Sequence, residues 1–274
     1  MSTYIDPRAV VSPNAQIGDN VRIGPFTVVE DNVVIGDGTV IGPNVFIGYG
    51  TRIGKNCKIF HGASIGSIPQ DLKFKGEETT LEIGDNTIIR EFCTLNRGTA
   101  HSGKTVIGSN CLLMAYVHIA HDCVVGNNVI MANAVNLGGH VVVEDYVVIG
   151  GLVPVHQFVR IGQHSIVGGG WRVPKDVPPY IMAAREPLRF EGLNIVGLRR
   201  RNFKKETIEK IEDAYRIIYQ SNLNVSQALK KLKEEFELIP EVQNIINFIE
   251  SSQRGIIRGP YDQYKMAIFE YGFS

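Results

Sequence analysis

The 274-residue chain has no excess of charge: 28 Lys and Arg balance 28 Asp and Glu, and the sequence pI is about 7.1. A neutral balance gives no global pull toward nucleic acid or an anionic membrane. Long apolar runs are also missing. None approaches the ~20 residues of a spanning helix, so no integral membrane segment is expected. The first residues, MSTYIDPRAV, carry neither the basic start nor the apolar stretch of a signal peptide. Cysteine is scarce: four residues, at 57, 93, 111 and 123, never in CxxC spacing. These absences predict a cytoplasmic protein with free thiols.

What is present is a period of six. From Ile5 an aliphatic residue recurs at every sixth position to Ile65, again at Ile83, Ile89 and Leu95, and then from Ile107 to Val173. Only Asp71, Glu77 and His101 break the phase. Gly often follows the aliphatic residue, and Gly, Asn and Asp cluster where turns would need positive φ. The fifth position of each hexapeptide is small or β-branched, as at Ala15, Thr27, Val45 and Val129, and all four cysteines occupy it. A buried filler role follows for them, and no chemistry. Two inward residues per six describe short flat strands joined by tight corners. Three such strands make one triangular coil, with residue n under n+18. Residues 5–173 are thus expected to form a parallel β-helix of about nine coils. Crossover sterics alone favour a right-handed winding.

Two stretches, 66–82 and 97–106, lose the phase and gain charge, Gly and Pro. They are expected as loops ejected from the solenoid. The β-helical domain is placed at 1–187 and a small α-helical C-terminal domain at 188–274. Helical spacing marks Ile208–Ile218, Val225–Phe236 and Val242–Ile249, with a capping box at Asn224 and Gln227 and a helix start at Pro240. Residues 259–274 are expected to be an irregular tail.

Five of the seven histidines lie between 101 and 156. The coil arithmetic sets Gly139 under His121, His140 under Asp122 and His156 under Gly138, with His118 at the margin of this corner. Polar turn residues without a role, a zinc site with an open position, and acid–base chemistry are the competing readings. In the last, Asp beside His tunes its basicity, and a Gly amide one coil away serves as oxyanion donor.

The segments HIAHDC (118–123), GGH (138–140), VHQF (155–158), DVPPY (176–180), QDLKFKG (70–76) and NIVGLRRR (194–201) together resemble UDP-N-acetylglucosamine O-acyltransferases. That resemblance implies a left-handed winding, a homotrimer with active sites between adjacent prisms, and no cofactor or metal. The implied reaction moves an (R)-3-hydroxyacyl chain from acyl carrier protein to the 3-hydroxyl of UDP-N-acetylglucosamine, the first step of lipid A biosynthesis. His121 would be the general base, Asp122 its orienting partner and the Gly139 amide the oxyanion donor. Asp71, Lys73, His118, His140 and Gln157 match positions lining the sugar and acyl sites. His156, Asn194 and Arg200 match positions near the nucleotide, and Gly169 the position that limits acyl length. Val196 departs from the family, which carries Glu there. Trp171 stands at an inward position too small for it, so the chain is expected to leave the regular path, with the ring capping the prism or walling the acyl groove.

The basic run Arg199, Arg200, Arg201, Lys204 and Lys205 lacks interleaved aromatics, which argues against nucleic acid, and fits an acidic carrier protein or a pyrophosphate. The rival functions are the N-acyltransferase of the same pathway, a carbonic-anhydrase-like metal enzyme and a non-catalytic scaffold. The N-acyltransferases carry an extra N-terminal uridine-binding domain, whereas here the repeat starts at Ile5. The QDLK loop and the histidine corner argue against a scaffold.

Overall fold

The computed structural model describes residues 2–260; the tail expected over 259–274 lies largely outside them. Strands mostly two residues long, from Tyr4–Ile5 to Ile166–Val167, stack into three faces of a triangular prism. Every strand pair within the prism is parallel, and aliphatic meets aliphatic along each face: Ile23 on Ile41, Val29 on Ile47, Val125 on Val143, Ile149 on Val167. These side chains fill the axis and are almost wholly buried, as are the four cysteines, all free. The inward threonines are satisfied between coils: Thr27 and Thr39 donate to the Gly42 and Gly54 carbonyls at 2.8 and 2.9 Å.

The corners explain the Asn and Gly content. Asn20, Gly38, Asn56, Asn86, Asn110 and Asn128 stack along one edge, all at positive φ. The same edge continues with Tyr146, His164 and Tyr180, and other edges carry Phe92, Tyr116, Asp122, His140 and Phe158, also at positive φ. Side chains with a Cβ are costly there, and ring stacking one coil to the next offsets part of the strain, as for Phe92 on Tyr116 at 5.3 Å.

The two ejected loops change the register by whole hexapeptides. Ile65 lies over Leu95 rather than residue 83, and Ile83 over Ile107 rather than residue 101. The insertions are therefore two hexapeptides and one, which returns the chain to its original phase. The strands Ser64–Ser67, Thr80–Ile83 and Lys104–Ile107 reach into the expected loops, and Thr94–Asn96 ends at the edge of the second, leaving 68–79 and 97–103 outside the faces.

At the far end, Val173 still bridges Val155 in register, but the next rungs pair Ile161 with Val177 and Ile166 with Met182. The path thus shortens by two residues just after Trp171, not at it. The indole is half-buried against the core, beside Gly168 and Ala184. The boundary expected at 187 falls within a hairpin, Ile181–Ala184 with Arg189–Leu193, that still extends a prism face. Four helices follow among the described residues: α1 Ile195–Arg200, α2 Lys205–Gln220, α3 Val225–Glu235 and α4 Pro240–Glu250. The Asn224–Gln227 capping box forms, and Pro240 opens α4. Tyr215 of α2 donates to the Pro179 carbonyl at 2.7 Å, and Asn244 of α4 to the Tyr180 hydroxyl at 3.1 Å, tying helices to prism. No helix among the described residues is long and apolar enough to cross a membrane.

Candidate active site

Between Ile107 and Val173 the coils are uninterrupted, so the corner that precedes one face stacks Asp122, His140 and Phe158 directly. The His140 and Phe158 rings are parallel within 3° at 4.5 Å, and the His121 and His140 rings meet edge to face at 5.1 Å. Phe158 was obtainable from the same arithmetic, as His140 plus one coil, although no chemistry singled it out.

The centre of the site is the His121–Asp122 pair. An ionised carboxylate only accepts, so His121 Nδ1–H donates to Asp122 Oδ2 at 2.7 Å and leaves the Nε2 lone pair free. Asp122 has no exposed side-chain surface. Its oxygens also accept from Thr99 N at 3.0 Å, Thr99 Oγ1 at 2.7 Å, Ser102 N at 3.3 Å and Ser102 Oγ. Burial pushes the carboxyl upward, but the hydrogen bonds from Ser102, Thr99 and His121 outweigh it, holding the group well below the usual carboxylate range. Thr99 and Ser102 sit on the ejected loop, where no periodicity predicts a neighbour.

Gly139 lies one coil beyond His121, with the imidazole packed against it: a Cβ there would come within 2.7 Å of His121 Cε1 and 2.8 Å of Nε2. Only glycine lets the ring occupy that place. The Gly139 carbonyl accepts from Phe158 N, whereas its own N–H makes no backbone hydrogen bond among the described residues. His140 Nε2 lies 3.8 Å from Asp122 Oδ2, and the His101 ring meets His140 edge-on at 4.7 Å. Burial lowers the His140 pKa, against the pull of Asp122. His118 is likewise lowered by burial and shares a 2.7 Å hydrogen bond with Thr94 Oγ1.

Asp71 and Lys73 stand on the loop 68–79, where Asp71 Oδ1 accepts from Lys73 N at 3.0 Å. Asp71 is close enough for its charge to act on His140, so the loop folds back toward the histidine corner. Gln157 and His156 are exposed on the next coil, with His156 Nδ1–H donating to the Gln157 carbonyl. Gly169 is exposed, with Gly151 O 3.2 Å from where its Cβ would stand.

Asn194 and Arg200 belong to another edge. Asn194 caps α1 by accepting from Gly197 N and donates to the His164 carbonyl at 2.8 Å, on the corner of Tyr146, His164 and Tyr180. Arg199 and Arg200 are exposed. Arg201 turns inward onto the Tyr146 ring at 4.9 Å and donates to the Gly197 carbonyl, so the basic run is not one continuous face. Val196 is exposed beside them.

His121, Asp122 and His140 offer ligand atoms within 4.8 Å of one another, a spacing that could hold a metal. The Asp122 oxygens, however, already accept from Thr99, Ser102 and His121, and ligation would displace those donors.

Comparison with known proteins identifies the family and the fold. Domain 2 of the UDP-N-acetylglucosamine O-acyltransferase family matches residues 176–257, and the bacterial transferase hexapeptide family matches 2–31, 32–67 and 104–139. The acyl-[acyl-carrier-protein]–UDP-N-acetylglucosamine O-acyltransferase of Chlorobaculum parvum is 56% identical over 92% of this chain and 96% of its own. The crystal structure of the UDP-N-acetylglucosamine acyltransferase of Bacteroides fragilis superposes with a TM-score of 0.90 at 52% identity, covering 92% of this chain and 99% of that one. The Francisella novicida enzyme gives 0.91 at 41%, covering 93% and 94%. The prism winds left-handed, like those structures and against the crossover rule. Two-residue strands accumulate almost no twist, which removes the source of that rule. With this identity and coverage, and the same fold throughout, the chain belongs to the UDP-N-acetylglucosamine O-acyltransferase family.

Proposed function

We propose that this protein is a cytoplasmic enzyme transferring an (R)-3-hydroxyacyl chain from acyl carrier protein to the 3-hydroxyl of UDP-N-acetylglucosamine, the first step of lipid A biosynthesis. The observation that carries the reading is the buried, multiply hydrogen-bonded Asp122 holding His121 with its Nε2 free over the Gly139 backbone. His121 Nε2 takes the proton of the sugar 3-hydroxyl as the oxygen attacks the thioester carbonyl. The Gly139 N–H donates to the oxyanion of the tetrahedral intermediate. Its collapse breaks the C–S bond, and the imidazolium returns the proton to the leaving thiolate of the carrier. Asp122 stabilises the imidazolium throughout, so the step needs no metal.

Asp71, Lys73, His118, His140 and Gln157 line the sugar and acyl sites. His156 and Arg200 serve the nucleotide, Asn194 acts there by capping the helix that carries Arg200, and Gly169 with Trp171 borders the acyl end. The histidine corner and the Asn194–Arg200 segment occupy different edges of one prism. A site using both sets therefore takes them from two copies, which supports closed threefold assembly.

The test incubates purified protein, in EDTA, with a panel of 3-hydroxyacyl carrier proteins and either UDP-N-acetylglucosamine or its 3-amino analogue. Mass spectrometry should find an O-acyl product, with one thiol released per ester. Acylation of the amino sugar alone would make the protein an N-acyltransferase, and activity only after zinc is restored would move it to metal chemistry.

A further inference from the structure

Three of the buried side-chain polar atoms left without a partner belong to Thr79, Asn96 and Arg97, all at the roots of the two ejected loops. Arg97 is the most unusual of them. Its guanidinium forms no ion pair among the described residues, and its Nε is buried without an acceptor. A cation held at that cost implies a task that another side chain would not perform.

Its contacts indicate the task. Arg97 Nη1 donates to the Tyr49 carbonyl at 3.2 Å, and the guanidinium lies 5.6 Å from the ring centres of both Tyr49 and Phe74. Phe74 is the middle of the QDLKFKG loop, and its N–H donates to the Asp71 carbonyl at 3.0 Å. The residues around Arg97 grip both ends of the same loop. Arg97 N donates to Ser67 O, Asn96 Nδ2 to Ile68 O, and Gly98 N to Thr80 O, at 3.1, 2.9 and 3.1 Å. Immediately after, Thr99 and Ser102 hold the Asp122 carboxylate. One short stretch, 96–102, thus fastens the Asp71–Lys73 loop on one side and the His121–Asp122 pair on the other.

We infer that Arg97 is a positioning residue that clamps Phe74 against Tyr49 and so sets Asp71 and Lys73 where the acceptor sugar nucleotide must lie for His121 to reach its hydroxyl. This rests on the acyltransferase reading above. A planar guanidinium can lie against two rings while bonding a carbonyl, and a lysine ammonium cannot reproduce that geometry.

The experiment measures kcat and both KM values for Arg97→Gln, Arg97→Lys, Phe74→Ala and the Arg97→Gln/Phe74→Ala double variant, with calorimetric binding of UDP-N-acetylglucosamine to each. The expected result is a rise of about tenfold or more in KM and Kd for the sugar nucleotide in Arg97→Gln. KM for the acyl carrier should stay within about twofold, Arg97→Lys should recover only part of the loss, and the double variant should be no worse than the worse single. A purely structural role would lower the folded fraction and leave these constants unmoved. If Arg97→Gln does not fold, Phe74→Ala alone must show the same selective loss. Sugar-nucleotide binding equal in wild type and variants, or losses that simply add, would overturn the inference. Wild-type protein that binds the sugar nucleotide yet transfers no acyl group would count against the proposed reaction instead, and wild type that fails to bind it would remove both.

Discussion

The coils from Ile107 to Val173 and those from Ile65 to Ile107 are built from one repeat but do different work. In the first, register advances by three hexapeptides every coil, and the chain stacks Asp122, His140 and Phe158 on one edge. In the second, register jumps, and the excess residues leave the prism as the loops 68–79 and 97–103. The regular coils place His121 and the glycine beside it. The irregular ones supply Thr99 and Ser102, which keep the carboxylate charged, and Asp71 and Lys73, which face the acceptor in the proposed reaction. A rigid ladder can aim a side chain but cannot enclose one, and the loops provide the enclosure.

The largest break in this division should come from the loop side. Replacing Thr99 by Val and Ser102 by Ala removes two hydroxyl donors from Asp122 and leaves the regular coils intact. The carboxyl should then titrate at higher pH, because its depressed value depends on those donors. Turnover should fall at least ~10-fold near neutrality, and the acid limb of the pH–rate profile should move to higher pH. An unshifted acid limb would show that the loop merely covers the pair.

The second effect lies on the regular coils. His164 is stacked on Tyr146 at 4.8 Å, its Nδ1 is buried without a partner, and burial pushes its pKa down to about 4. The unfolded chain therefore binds a proton that the folded one refuses between about pH 6.5 and 4, so stability falls as pH drops through that window. Between pH 7 and 5 the loss from this group is about 2 kcal/mol. Urea unfolding of His164→Phe should lack that part of the pH dependence. Identical pH dependence in variant and wild type would remove His164 from the account.

The smallest effect concerns the end of the ladder. Trp171 packs beside Gly168 and Ala184, next to Gly169. Trp171→Ser should shift donor preference toward longer 3-hydroxyacyl chains without changing affinity for the sugar nucleotide, since each methylene admitted to an apolar groove is worth roughly 0.8 kcal/mol. Unchanged preference in a stable variant would leave the indole as a cap.

How much of this was legible in the sequence follows from the same division. The three residues that broke the period, Asp71, Glu77 and His101, sit in the inserted hexapeptides, so the repeat announced its own interruptions. Gly139 beside His121, and His140 beside Asp122, followed from stacking arithmetic because nothing is inserted after Ile107. Thr99, Ser102 and Arg97 could not be placed, since an ejected loop has no neighbour rule. The left hand of the winding follows from the family resemblance and not from the period: it depends on corners at positive φ and strands too short to twist, which periodicity does not encode. Trp171 stands out as too large for its inward position and is only half-buried there, yet the register holds through Val173 and the path shortens only beyond it.

The central claim is that His121 removes the acceptor proton. Single-turnover transfer from a 3-hydroxyacyl carrier protein to UDP-N-acetylglucosamine should be at least ~100-fold slower in His121→Ala, with sugar-nucleotide binding and melting temperature nearly unchanged. Near-normal transfer by a folded His121→Ala protein would contradict it.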